Sequence, residues 1–309
     1  MRSHTPLPQP FDEGAFTLAA ARQAGVGTGR LRGDDLERPF RGVRSAPITT
    51  LPEHALAYAE RMSPDHAFAG RTAARLWGLP LAQKWTRAEL LDVARPAGSN
   101  RARSKGIREM TVAKERLFCV VHEGLRMLDP PSTALTLARE LSHEHLVQVV
   151  DALLTPAKRY PDLRVPREPS VGYATPEQLA AFLEGCAGLA GVTALRAALT
   201  DARVGSESRF ETVTRLLIVE AGLPEPEVHP LIVVDGIDLH PDLGYPDLKI
   251  AIEYEGDGHR EQSTWIRDID RYARLEAAGW IIVRITRGDL GRRGAALVQR
   301  VASARARRA

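Results

Sequence analysis

The amino-acid sequence predicts a mixed protein of the α+β and α/β classes that folds as several domains. The chain has 309 residues, which is long enough for two or three compact units. Its residues are 44% hydrophobic and 26% charged, as is ordinary for a globular protein with a sizeable core. Segments with helical periodicity alternate with short strand-like runs. We divide the chain into residues 1–50, 51–200 and 205–309.

The first region predicts a small unit of two helices and a strand pair after a proline-rich start. The run GAFTLAAARQAG is typical of an alanine-rich helix that ends at Gly25. A second short helix follows, with Thr28 as its N-cap, and RPFRGVRS alternates like a short strand pair. This order is the outline of a winged helix-turn-helix. The stretch is basic, which fits DNA binding or a solvated surface equally; its candidate DNA contacts are Arg30, Arg32 and Arg41.

The middle region predicts a mixture of helices and strands. Between two strand-like runs within residues 88–122 lies the connector RPAGSNRARSKGIR, which carries five cations and no acid. A flexible basic loop of this kind can contact phosphates, although most such loops are only solvated. Its candidate DNA contacts are Arg101, Arg103 and Lys105. Farther along, TPEQLAAFLEGCAG begins with the pattern of a helix capping box, Thr175 with Gln178.

The last region predicts a helix, three strands, a helix and a strand. SRFETVTRLLIVEAG indicates a helix of about four turns that ends at Gly222. The dipeptide Asp235-Gly236 between apolar runs predicts a hairpin. LKIAIEYE predicts the third strand, a helix follows over roughly residues 264–278, and WIIVRIT predicts the last strand.

The third strand carries paired carboxylates. Because side chains alternate along a strand, Glu253 and Glu255 lie on one face, and the preceding hairpin arm brings Asp242 alongside. Carboxylates are the ligands that Mg²⁺ prefers, and a divalent ion at such a site can activate water and stabilise charge on a phosphate. Alternating acids are also common on the solvent face of a sheet. The GDGH turn then brings His259 within reach, as a general acid or base, a phosphate contact or a structural residue.

Several of these motifs occur together in a known order. The runs ESRFETVTRLLIVEAGLPEPEV, DLGYPDLKIAIEYEGDGHR, WIRDIDR and LEAAGWIIVRIT resemble a widespread bacterial domain of unknown function. That domain is related to the very-short-patch-repair endonucleases of the PD-(D/E)XK nuclease superfamily. The resemblance covers about residues 205–292. It implies a restriction-endonuclease-like αβββαβ core with a mixed sheet.

The resemblance also implies roles for individual residues. Glu211 would be the helix carboxylate, Asp242 the metal-binding aspartate, and Glu253 with Glu255 the E-x-D/E pair. His259 would be the motif histidine, and Asp268 with Arg271 would belong to the motif on the following helix, where Arg271 is a further candidate DNA contact. The superfamily's usual lysine after the second acid is absent, and Glu255 stands in its place.

The N-terminal half carries a second resemblance. FTLAAARQAGV, LERPFRGVRS, FAGRTAARLWGLPL and LDPPSTALTLARELS are similar to the winged-helix region of abortive-infection type IV antitoxin-like proteins. This similarity implies DNA binding and transcriptional control.

Together these features predict a metal-dependent DNA endonuclease, acting in DNA repair or phage defence. Asp242 and Glu253 would hold Mg²⁺ or Mn²⁺, Glu255 or His259 would orient or deprotonate water, and Glu211 would contribute from its helix. One alternative is a DNA-binding regulator or antitoxin-like protein with an inactive nuclease fold. Another is an accessory protein that acts only with a protein partner encoded nearby.

The charge and hydropathy of the chain permit these functions but do not argue for any one of them. The net charge of +3 and the pI of about 9.0 permit a nucleic-acid partner. The chain holds two cysteines and lacks an apolar run of eighteen residues or a secretory signal. We therefore expect a cytoplasmic protein without a disulfide framework and without a membrane partner.

Overall fold

A computed structural model describes residues 5–101, 104–113, 118–160, 163–164, 168, 170–255 and 271–308. The chain forms two compact units, residues 1–140 with 181–195, and residues 141–180 with 196–309. Both units combine helices with sheets, so the predicted mixed α/β architecture is confirmed. The finer boundaries at residues 50 and 200 stay predictions. No helix in the described part of the chain has the length and apolar character of a membrane span.

The first unit contains a two-stranded sheet, a five-stranded sheet and four helices among its described residues. Its strands are β1 (Ala15–Thr17), β2 (Val43–Ser45), β3 (Ala67–Phe68), β4 (Leu91–Pro96), β5 (Ile107–Val112), β6 (Cys119–His122) and β7 (Leu125–Leu128). Its helices are α1 (Leu18–Gln23), α2 (Leu51–Ala59), α3 (Gly70–Trp77) and α4 (Pro130–Leu137). The larger sheet has the order β5-β4-β3-β7-β6, with two parallel and two antiparallel pairs.

The N-terminal segment differs from the predicted pair of helices. The first helix begins at Leu18, four residues after the start of the predicted run at Gly14, because β1 precedes it and the Thr17 hydroxyl accepts a hydrogen bond from the backbone N–H of Ala20. The predicted second helix, with Thr28 as its N-cap, is a single 3-10 turn over Arg30–Arg32 that follows Gly29. Glycines before and after this turn leave too few residues for a nucleated α-helix.

The second unit contains the carboxylate-bearing strands. Its helices are α5 (His143–Leu154), α8 (Arg209–Glu220), the described residues 271–277 of α9, and α10 (Gly291–Ala306). Its strands are β8 (Glu227–Val228), β9 (Ile232–Val234), β10 (Ile237–Leu239), β11 (Leu243–Tyr245), β12 (Ile250–Glu255) and β13 (Ile281–Thr286). Helices α6 (Pro176–Gly185) and α7 (Val192–Asp201) carry the chain across the boundaries of the two units.

The sheet of the second unit is mixed. Its order is β13-β12-β11-β8, in which β12 and β13 are parallel and the other pairs are antiparallel. The predicted hairpin is confirmed, with Asp235 and Gly236 at φ values of 50° and 75° between β9 and β10. The predicted second strand is instead two strands, β10 and β11. Pro241 lies between them and lacks the N–H group that a continuous ladder needs.

The two faces of this sheet bury different side chains of β12. Ile250 and Ile252 enter an apolar core with residues of α8 and α10. Ala251 enters a second core with the β9–β10 hairpin and Leu275 of α9. The predicted alternation along β12 is therefore confirmed, and Glu253 lies on the α9 side. Helix α10, which follows the last predicted strand, was not predicted.

A buried ion pair links α5 to α8. Asp151 accepts hydrogen bonds from the backbone N–H of Arg203 at 2.7 Å and from the Thr212 hydroxyl at 2.8 Å. A guanidinium nitrogen of Arg215 lies 3.5 Å from the same carboxylate and another lies 2.8 Å from Glu225. Asp151 and Arg215 are each 1% exposed. Because water does not reach this pair, each charge depends on its protein partners.

Replacing Asp151 with alanine should destabilise the protein by about 3 kcal/mol, because it leaves the buried Arg215 cation with less compensation. Urea unfolding followed by circular dichroism measures this change. The matched control is Asp238→Ala, which removes an exposed aspartate from β10 and should change stability by less than about 0.5 kcal/mol. Equal effects of the two substitutions would contradict the structural role of the ion pair.

Candidate metal centre

Three side chains of metal-ligand type meet at the start of β11. One ligating atom from each of Glu211, His229 and Asp242 lies within 4.8 Å of the other two. The three residues come from the first turn of α8, the residue after β8 and the residue before β11. This is the group of metal-ligand type found among the described residues.

The helix start places Glu211. The Ser208 hydroxyl caps α8 by accepting a hydrogen bond from the Glu211 backbone N–H at 3.3 Å. The Glu211 carboxylate in turn accepts one from the Glu207 backbone N–H at 2.7 Å. A carboxylate in the first turn also faces the positive end of the helix dipole. These contacts fix Glu211 before any metal binds.

Backbone pairing places His229 beside Asp242. The His229 N–H donates to the Asp242 carbonyl oxygen at 3.1 Å, at the end of the pairing between β8 and β11. His229 has a φ of 46°, a left-handed conformation in which histidine is found more often than most residues. This conformation turns the ring so that Nε2 lies 3.1 Å from a carboxylate oxygen of Glu211.

The neighbouring strand fixes the Asp242 side chain. Asp242 Oδ2 accepts a hydrogen bond of 2.7 Å from the backbone N–H of Tyr254, near the end of β12. The Tyr254 ring stacks on Phe210 of α8, with 4.6 Å between the ring centroids. A hydrogen bond from β12 therefore fixes the Asp242 carboxylate, and hydrogen bonds at the start of α8 fix the Glu211 carboxylate.

Burial sets the charge state of the cluster. It raises the pKa of Glu211 to about 7. Burial, followed by the nearby charge of Glu211, also raises the pKa of Asp242 to about 7. Burial lowers the pKa of His229, which favours the neutral imidazole that metals bind. A divalent cation would offset the repulsion between the two carboxylates.

The chemistry of the donor set fits such a cation. Two carboxylates and one imidazole offer both oxygen and nitrogen ligands. Mg²⁺ is usually bound through oxygen alone, whereas imidazole suits first-row transition ions. Of the two ions predicted from the sequence, Mn²⁺ therefore matches this group better.

Glu253 and Glu255 lie next to this group and have different partners. Glu253 is buried and accepts a hydrogen bond of 2.8 Å from Arg271 of α9, which also donates to the His240 carbonyl oxygen at 3.3 Å. Burial of the Arg271 side chain lowers its pKa, but the contacts with Glu253 and Tyr272 outweigh this effect, so the pKa of Arg271 is raised overall. Glu255 is partly exposed, 3.6 Å from Arg284. Metal binding by Asp242 together with Glu253 stays a prediction.

Sequence reasoning missed His229, because it lies in a proline-broken connector with no motif around it. The sequence around it shows only that it lies between Val228 and Pro230. His259 and Asp268 lie outside the described residues.

The predicted DNA contacts have varied surroundings. Arg30 is paired with Asp35 at 2.7 Å, and Arg101 lies 3.4 Å from Glu109. Arg271 is partly buried and paired with Glu253. Arg103 lies outside the described residues. The remaining predicted contacts are exposed: Arg32, Arg41 and Lys105.

Related proteins add no function. The chain is similar to an uncharacterized protein of Mycobacterium tuberculosis strain CDC 1551 / Oshkosh and to one of strain ATCC 25618 / H37Rv. Each is 32% identical over 175 residues, which cover 56% of this chain and 59% of the relative. The chain thus spans less than two thirds of the length of the curated relatives it matches. No family model matches the chain, and no solved structure matches it.

Divalent metal should stabilise the folded protein through the Glu211–His229–Asp242 cluster. At a Mn²⁺ concentration of about 100 times the dissociation constant, the gain should be about 2.7 kcal/mol. Thermal unfolding with Mn²⁺ or with EDTA measures it. Asp242→Asn and His229→Gln should each remove the gain, whereas the exposed control Asp238→Asn should keep it. A gain that survives both cluster substitutions would place the metal elsewhere.

Metal affinity should increase as the pH rises from about 6 to about 8. Below pH 7 the raised pKa values keep protons on Glu211 and Asp242, and a metal must displace them. In the metal-free protein the same shifts lower stability as the pH rises from about 4 to about 7, because the folded chain keeps protons that the unfolded chain releases. Calorimetric titration in buffers of different ionisation enthalpy measures the released protons. Binding without proton release would refute this assignment.

Proposed function

We propose that the protein is a metal-dependent endonuclease that hydrolyses phosphodiester bonds in DNA. The observation that carries the proposal is the cluster of Glu211, which is buried, with His229 and Asp242, which are partly buried, beside the Glu253–Arg271 pair. Two carboxylates held close together and away from most of the solvent are costly to maintain without a cation. Its position at one end of a mixed sheet agrees with the sequence resemblance to very-short-patch-repair endonucleases.

The residues around the cluster have separate tasks in this proposal. Glu211, His229 and Asp242 would hold the metal, which would lower the pKa of a water molecule and stabilise negative charge on the phosphate. Arg271 keeps its positive charge at all relevant pH values and orients Glu253. Glu255 is the partly exposed carboxylate on the same strand, and it can accept a proton from the attacking water.

The finer fold assignments belong to the same proposal. In the second unit, α8, the mixed sheet and α9 follow the order of a restriction-endonuclease-like core. In the first unit, α1, the 3-10 turn at Arg30–Arg32 and the β1–β2 pair correspond in order to a winged helix-turn-helix, with one helix shortened to a single turn. The first unit would then contact DNA that the second unit cleaves.

Cleavage of plasmid DNA tests the proposed activity. The wild-type protein should nick supercoiled plasmid with Mn²⁺ and, more slowly, with Mg²⁺. Asp242→Asn should reduce the rate by about 100-fold or more, because losing even a residue that supports a ligand costs 10- to 100-fold. Gel electrophoresis of the plasmid forms measures the rate. Glu211→Gln should behave like Asp242→Asn.

Asp238→Asn, with the same chemical change on the exposed side of β10, is the control and should cleave at the wild-type rate. Equal cleavage by wild type and Asp242→Asn would indicate a contaminating nuclease. No cleavage by wild type across linear, nicked and mismatched substrates would refute the proposal.

A second candidate function is a DNA-binding regulator or antitoxin-like protein with an inactive nuclease fold. The observation that favours it is the position of Glu253, whose carboxylate binds Arg271 rather than joining the three-residue cluster. The presence of Glu255 in place of the superfamily's usual lysine favours the same candidate. This candidate predicts salt-sensitive binding to DNA upstream of its own gene, with no cleavage. Mobility-shift assays against an unrelated duplex of equal length distinguish the two, since a regulator prefers its own promoter.

A further inference from the structure

The C-terminal segment concentrates positive charge on a chain that is otherwise acidic. Residues 284–308 contain eight arginines and one acidic residue, Asp289, for a net charge of +7. Because the whole chain has a net charge of +3, the remainder carries −4. The net charge is therefore distributed unevenly along the chain, although the overall pI is only mildly basic. The local charge determines which ligands a surface attracts.

Packing turns most of these arginines towards solvent. Leu297, Val301 and Ala304 fill the apolar core below α10. Arg305 is half-buried, with its guanidinium 4.7 Å from the centre of the Tyr245 ring. The other seven arginines of the segment are exposed: Arg284, Arg287, Arg292, Arg293, Arg300, Arg307 and Arg308.

Part of this surface forms a cleft beside the edge strand β13. The cleft has a volume of about 500 Å³. Arg300 closes the strand edge by donating a hydrogen bond of 2.7 Å to the Arg284 carbonyl oxygen. Three guanidinium groups, one amide and one hydroxyl line it, all of them donors that phosphate oxygens accept: Arg284, Arg300, Arg307, Gln299 and Ser303.

Much of the positive charge is uncompensated. Arg300 is paired with Asp289 at 2.8 Å. Within the described part of the chain, Arg287, Arg292 and Arg307 form no ion pair. Arg284 lies 3.6 Å from Glu255, which connects the cleft to the strand that carries the candidate catalytic carboxylates.

We propose that the arginine surface of residues 284–308 binds the phosphate backbone of duplex DNA without reading its sequence. This inference rests on the proposed nuclease function and names where the substrate lies. Guanidinium groups bind phosphates in a bidentate manner. A membrane-surface helix would need an exposed apolar face, yet no large apolar side chain is exposed among residues 284–308, all of which are described. The apolar face of α10 is buried in its own core.

Fluorescence anisotropy with a labelled duplex of 24 base pairs tests this proposal, in EDTA so that no cleavage occurs. The test variant is Arg287→Gln/Arg292→Gln/Arg307→Gln, which removes exposed cations without breaking an ion pair. The control variant is Lys158→Gln/Arg164→Gln/Arg196→Gln, which removes three exposed cations of the same unit from outside the surface. Thermal unfolding checks that both variants are folded.

The two variants should differ in affinity and in salt dependence. Each lost phosphate contact lowers the slope of log affinity against log salt by about 0.9, which is about 8-fold in affinity near 0.1 M salt. We expect the test variant to lose two or three contacts, a fall on the order of 100-fold, and the control variant to stay close to wild type.

Three outcomes would overturn the inference. They are no binding of wild type to duplex DNA, an equal loss in the test and control variants, or binding to phosphatidylserine vesicles that exceeds binding to DNA. The proposed nuclease activity fails separately: a protein that binds DNA through these arginines and cleaves none with any metal would refute the activity alone.

Discussion

The antiparallel pairing of β11 with both β8 and β12 is the constraint on which the candidate site depends. On one side of β11, the Asp242 carbonyl oxygen accepts the His229 N–H. On the other side, the Asp242 carboxylate accepts the Tyr254 N–H. The first contact joins two backbone groups and the second joins a backbone N–H to a side chain. Both lie at the start of one short strand, so they position the aspartate and the histidine together. Helix α8 then adds Glu211 through its own N-terminal cap.

Bringing Glu211, His229 and Asp242 together costs electrostatic free energy. The buried carboxylate of Glu211 and the partly buried carboxylate of Asp242 lie close together, and desolvation raises the pKa of each to about 7. Near them, Glu253 is paired with Arg271, whereas the described residues place no Lys or Arg in an ion pair with the three residues of the cluster. That difference distinguishes a structural ion pair from a group suited to bind a metal. Most arginines of α10 are exposed to solvent, and in the described part of the chain none of them is paired with these acids.

Local sequence signals predicted the elements that local physics controls. The Asp235-Gly236 hairpin, the end of α8 at Gly222 and the alternation along β12 all depend on neighbouring residues, and the structure contains them. The helix at Thr28 was wrong because surrounding glycines limit it to one turn. His229 was missed because its role arises from strand pairing with Asp242, thirteen residues away in the sequence.

The sequence by itself determined the mixed α/β character, the carboxylates of the second unit and the strand that presents Glu253 and Glu255 on one face. Tertiary structure decided how those acids are used. Hydrogen bonding across the sheet joins Asp242 to His229, and the packing of α9 brings Arg271 to Glu253. Periodicity reports the face on which a residue lies. Which residues from distant segments share that face is set only when the chain buries its core.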